Sequence, residues 1–121
     1  MDSARFKIQN TMEAFGCEEE EEEELLATLT DFGYEIYEAE QPPGVIVPYH
    51  AHKKEESIII LEGKMRFNVE EELSVVESGQ VITISANAIH SAATIEDESA
   101  KILIAFRNEI PKEELHEESE N

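Results

Sequence analysis

The 121-residue sequence has no tryptophan, a single cysteine, and only nine basic side chains against 29 acidic ones. Because Cys17 is alone, a disulfide framework and a cysteine-based zinc finger are both excluded. The shortage of lysine and arginine leaves a formal charge of −20. A surface of that sign repels nucleic acid and anionic membranes, so neither is expected as a partner. No apolar run approaches the ~18–20 residues of a membrane span, and Met1-Asp2-Ser3-Ala4-Arg5 lacks the pattern of a signal peptide. A cytoplasmic protein is the resulting expectation. Nor is there a glycine-rich phosphate loop or a Gly-x-Ser-x-Gly nucleophile motif.

What the chain does have is glutamate and β-branched residues. Of the 29 acids only 3 are aspartate, and isoleucine and valine number 13 and 6. The charge is uneven. Residues 1–24 carry −7, residues 108–121 carry −5, and the 83 residues between them carry the remaining −8. The length allows one domain. We therefore divide the chain into an N-terminal segment (1–24), a folded domain (25–107) and an acidic C-terminal tail (108–121). Glu18 to Glu24 is an unbroken acidic run, read as a solvated turn or a frayed helix start. The tail after Pro111 is almost wholly polar and would form at most a frayed helix.

Within 25–107 no stretch shows a useful 3.6-residue apolar period, and Tyr34 to Ala39 alternates. Short strand-like runs follow at 45–50, 57–61, 64–69, 73–76, 80–84, 90–95 and 100–106, punctuated by turn residues such as Pro42-Pro43-Gly44, Glu62-Gly63 and Ser78-Gly79. This spacing predicts an all-β sandwich or barrel.

Three of the four histidines fall in that region. His50 and His52, two apart in an extended segment, point to one face. Glu56 follows four residues later, and His90 heads another strand after a turn. Three imidazoles and a carboxylate suit a divalent transition metal, with neutral imidazole favouring Zn, Cu, Fe or Ni and the carboxylate widening the range towards Mn. A His-x-His pair on a strand is also commonly just a surface pair, and spacing alone does not choose between the two.

The frame around these residues resembles the cupin family. Its first motif, G-x5-H-x-H-x3,4-E-x6-G, is matched at every spacing by Gly44, His50, His52, Glu56 and Gly63. The second, G-x5-P-x-G-x2-H-x3-N, keeps Gly79 and His90, with Ser85, Asn87 and Thr94 at the proline, second glycine and asparagine positions. Asn87 tolerates a left-handed backbone better than most residues, so that departure is mild. The resemblance covers about 25–107. It implies a small antiparallel β-barrel or jelly roll holding one divalent metal ion (Fe, Mn, Ni or Zn) on His50, His52, Glu56 and His90. It also implies a metal-dependent enzyme acting on a small organic molecule, of dioxygenase, decarboxylase or isomerase type, with a non-catalytic ligand-binding or sensing barrel as the alternative. Homodimers formed by sheet packing or strand exchange are a further implication, and Phe6-Lys7-Ile8 is a candidate for the exchanged strand.

Strand parity suggests a pocket lining. Ile46 and Pro48 share a face with His50, Ile58 and Ile60 with Glu56, and Ala92 and Thr94 with His90. For the isoleucines the barrel core is the plainer role. Arg66 alternates with Met65 and Phe67 and is expected to face out, which leaves no inward cation for a carboxylate or phosphate substrate. Tyr34, Tyr37 and Tyr49 are read as surface packing, and His116 as a solvated tail residue. Cys17, set among glutamates, is a poor nucleophile.

Overall fold

The computed structural model describes residues 5–95 and 97–107. The C-terminal tail, including His116 and the segment after Pro111, lies outside the described residues. The chain runs β1 (Phe6–Asn10), α1 (Thr11–Phe15), α2 (Glu22–Asp31), β2 (Tyr34–Gln41), β3 (Ile46–His50), β4 (Glu56–Glu62), β5 (Lys64–Val69), β6 (Glu72–Glu77), β7 (Gln80–Ile84), β8 (His90–Thr94) and β9 (Ala100–Arg107). The strands form two antiparallel sheets, in the orders β1-β7-β4-β9-β2 and β3-β8-β5-β6. This is the expected jelly-roll architecture, although the two sheets do not close into a continuous barrel.

Strand β4 shows why the five-stranded sheet is the heart of the molecule. Its run Ile58-Ile59-Ile60-Leu61 is buried throughout. Ile58 and Ile60 face the space between the sheets, with Met65, Phe67, Ile82 and Ile102. Ile59 and Leu61 point the other way, into a second cluster with Leu25, Leu29, Val81 and Leu103. A continuous apolar run is what a strand covered on both faces requires.

The second cover is helix α2, and here the sequence-based expectation is corrected. Residues 25–31, taken as non-helical, belong to α2, and Glu22–Glu24 form its first turn. Three carboxylates at a helix N-terminus are stabilised by the macrodipole. Leu25 and Leu29, one turn apart, are fully buried. Helix α1 is capped by Asn10, whose side chain accepts from the Glu13 N–H, while the Glu13 carboxylate accepts from the Asn10 N–H.

The first strand, Phe6–Asn10, pairs residue by residue with β7 of its own chain, from Phe6 opposite Ile84 to Asn10 opposite Gln80.

Gly63 turns β4 into β5 at φ +83°, and a Cβ there would lie 2.4 Å from the Ser99 carbonyl oxygen. Asn87 sits at φ +68°, the left-handed conformation anticipated at its glycine position.

Candidate metal centre

The four candidate ligands converge between the sheets. His50 on β3 lies directly opposite His90 on β8, with ring centroids 4.2 Å apart. Glu56 begins β4 in the facing sheet, opposite Phe106 of β9. His52, in the loop after β3, completes the group, its ring 4.8 Å from that of His50 and 5.7 Å from that of His90. One donor atom from each residue lies within 4.8 Å of the others. Opposite ligands on an ion with ~2.1 Å bonds are ~4.2 Å apart, so a small contraction closes the group on a metal.

The histidine tautomers are held from behind. Nδ1 of His50 is 2.8 Å from the Pro48 carbonyl oxygen and Nδ1 of His90 is 2.9 Å from that of Ala88. Each Nδ1–H donates to a carbonyl, which leaves the Nε2 lone pair facing the centre, the usual support for a metal-ligating imidazole.

Two buried atoms of the cluster are unsatisfied. Glu56 Oε1 and His90 Nε2 stand 3.0 Å apart, and neither has a hydrogen bond, though both are buried. A lone pair facing a carboxylate oxygen in an apolar pocket is unfavourable unless a cation lies between them. This donor set therefore fits a metal ion. Without one, a proton takes part of its place. Burial pulls the His90 imidazole below its ordinary 6.5, but the Glu56 carboxylate and the Ala88 carbonyl act against it and the net shift is upward. For His52, burial prevails and the shift is downward, Glu56 opposing it and His50 and His90 adding to it.

A cavity of about 250 Å³ extends from the cluster. Of the residues proposed from parity, Ile58 and Ala92 line it. Ile46 and Pro48 do not. Four residues of β3, Val47 to His50, stand against three of β8, Ala92 to His90, and this bulge puts Val47, not Ile46 or Pro48, on the His50 face. Ile46 is 76 % exposed in consequence. Ile60 is fully buried core. Thr94 is also packed away, its hydroxyl accepting from the Val45 N–H and donating to the Pro42 carbonyl.

Sequence reading missed most of the wall: Tyr37, Gln41, Val47, Met65, Phe67, Ile102, Ile104 and Phe106. Alternation within β5 and β9 carried the signal for five of these, since Met65 and Phe67, and Ile102, Ile104 and Phe106, each share one face. Among the described lining residues none is Lys or Arg, and Arg66 faces outward as expected. Tyr37 sits half-exposed, its hydroxyl hydrogen-bonded to the Glu35 carboxylate.

Residues 37–106, more than half of the chain, match the profile of the Cupin domain family. Among solved structures, a conserved protein of unknown function from Streptococcus pyogenes is 20% identical with a TM-score of 0.56, over 64% of this chain and 68% of that one. The Cnp3 cupin domain of Schizosaccharomyces pombe is 19% identical with a TM-score of 0.59, over 64% and 54%. The DMSP lyase DddQ from Ruegeria pomeroyi DSS-3 is 23% identical with a TM-score of 0.59, over 67% and 41%. At these identities the likeness is one of fold, and the match spans about half of the yeast chain and two-fifths of the lyase. No curated protein matches the sequence.

Proposed function

The chain belongs to the Cupin domain family, and from that premise we propose that it is a metal-dependent enzyme acting on a small, largely apolar organic molecule. The observation that supports this reading is the pair of buried, hydrogen-bond-free atoms, Glu56 Oε1 and His90 Nε2, at the end of a cavity. Burying the Glu56 carboxylate and the His90 imidazole costs stability, and a domain needing only its β-sandwich gains nothing from that cost.

His50, His52, Glu56 and His90 would hold the ion. When bound, it would supply Lewis-acid polarisation or redox chemistry with O₂, depending on its identity. The chain's own contributions are distinct. Pro48 and Ala88 carbonyls hold the His50 and His90 tautomers. Ile58, Phe67, Ala92 and Ile104 exclude water from the reacting end of the substrate. No proton-donating side chain apart from the cluster projects freely among the described lining residues, because the Tyr37 hydroxyl is engaged by Glu35. That favours dioxygenase-type chemistry over routes needing a dedicated general acid.

The same observation supports a second reading, a barrel that binds its ligand without turnover. Oxygen uptake and product formation by the metal-loaded protein, against a panel of diketones, thiols, flavonols and dicarboxylates, separates the two. Turnover of an uncharged member supports the enzyme. Thermal shifts without turnover support the binder.

We also propose that the protein is a homodimer, with the outer face of the β3-β8-β5-β6 sheet as its interface. That face exposes Ile46, Leu73 and Val75. Its charged outward positions are Lys64 and Arg66 against Glu77, two cations and one anion, in a chain of net charge −20. Two copies therefore meet there without the repulsion that the remaining surface imposes.

A further inference from the structure

The turn between β7 and β8, residues 85–88, touches two of the four candidate ligands. Its last carbonyl, on Ala88, lies 2.9 Å from Nδ1 of His90 and accepts its proton. Its Asn87 N–H, on a backbone at φ +68°, donates to the His52 carbonyl oxygen at 2.7 Å. The turn is closed across itself by the Ala88 N–H, which donates to the Ser85 carbonyl at 3.2 Å. One short turn therefore restrains the backbone of one ligand and the ring of another.

The other polar groups of that turn are held by Arg5. The Arg5 guanidinium donates to the Ala86 carbonyl oxygen at 3.0 Å, a charge-assisted bond. The Arg5 carbonyl accepts from the Ser85 N–H at 2.8 Å. Pairing of the next residue, Phe6, with Ile84 keeps Arg5 beside the turn. Arg5 lies outside the family match, which begins at residue 37. Ser85 stands at the proline position of the second cupin motif, and a proline there would have no N–H to give. Proline stiffens a turn from within by fixing φ. In this chain two bonds from Arg5 restrain the same turn from outside.

We propose that Arg5 is a positioning residue for the metal centre: its bonds to Ser85 and Ala86 hold the turn that places His52 and His90. The effect on metal affinity rests on the reading of the cluster as a metal centre. The restraint on the turn rests on the hydrogen bonds alone.

Two readouts keep these apart. Co(II) titration, followed by visible absorption, measures metal affinity. Amide hydrogen exchange at Asn87 in metal-free protein measures the turn. Arg5→Met keeps an aliphatic stem and removes the guanidinium. It should weaken Co(II) binding about tenfold, the lower end for losing a partner behind a metal ligand, and it should speed Asn87 exchange. Arg5→Gln serves in its place should Arg5→Met fail to fold. Arg5→Lys, which keeps a charged donor, should recover most of both. Ser85→Pro added to Arg5→Met should restore Co(II) affinity, since the ring replaces the lost restraint. Ile8→Ala removes packing of β1 against the core but no bond to the turn, so it should lower Tm and leave Co(II) affinity unchanged. Equal Co(II) affinity in wild type and Arg5→Met, or an equal loss in Ile8→Ala, would overturn the positioning role. Wild-type protein that binds no Co(II) would overturn the metal centre. Asn87 exchange unchanged by Arg5→Met would overturn the restraint on the turn whatever the metal does.

Discussion

His90 Nε2 lies 3.0 Å from Glu56 Oε1, and both atoms are buried without a hydrogen bond. A cation between them relieves that contact, so binding should stabilise the fold. At a free metal concentration ~100 times Kd the gain is about 2.7 kcal/mol, or roughly 10 °C in Tm. Differential scanning calorimetry with and without EDTA checks this. Glu56→Gln should abolish the shift while leaving the metal-free protein folded.

The same contact sets a pH dependence. In metal-free protein the His90 pKa is raised above its ordinary 6.5. Its contribution to stability is therefore fully present below about pH 6.5 and is lost as pH rises through the folded-state value. Urea unfolding in EDTA should show the advantage of wild type over His90→Gln shrinking across that window. Metal affinity should climb over the same range, because the proton and the metal compete for Nε2. Affinity that stays flat from pH 6 to 8 would exclude that competition.

Cys17 should be a structural thiol. It is buried in the cluster under α2. Burial pushes its pKa up, Thr28 partly offsets this, and Glu21, Glu24 and Glu18 add to the rise. Native protein should react with Ellman's reagent only at the rate of unfolding, and labelling at the speed of a free thiol would contradict the packing.

Two turn substitutions should act in opposite directions. Gly63→Ala places a methyl group 2.4 Å from the Ser99 carbonyl oxygen at φ +83°, and should cost more than ~3 kcal/mol by the combined clash and strain. Asn87→Gly, at φ +68°, should be neutral or stabilising by up to ~1 kcal/mol. Chemical denaturation of the two variants measures both.

Leu73→Lys should convert the proposed dimer to a monomer in light scattering, with the fold intact by circular dichroism. The position is 65 % exposed, so the monomer loses almost no core by the change. A dimer that survives would move the interface elsewhere.

The β architecture was legible because alternation and turn residues act locally: each of the seven strand-like runs after Gly44 reappears as a strand within a residue or two. The closeness of His50, His52 and Glu56 was legible from their spacing along a short stretch of chain, but joining the distant His90 to them took the cupin resemblance. Helix α2 was not. Its buried stripe is only Leu25 and Leu29, too short to register as a period, and its first turn looks like a solvated acidic run. The lining failed at Ile46 and Pro48 because one extra residue in β3 inverts parity, and a bulge leaves no mark in composition. Ile60 and Thr94 failed differently. Their side chains do point inward, but they are packed away from the cavity, a depth that only the assembled sheets define.

The account stands most directly on metal content. Protein purified without a metal-affinity tag should carry about one divalent transition metal ion per chain by elemental analysis, the four ligands supplying one site. The His50→Ala and Glu56→Ala variants should carry close to none. Wild-type protein holding no more metal than those variants, even after incubation with Fe(II), Mn(II), Ni(II) or Zn(II), would contradict it.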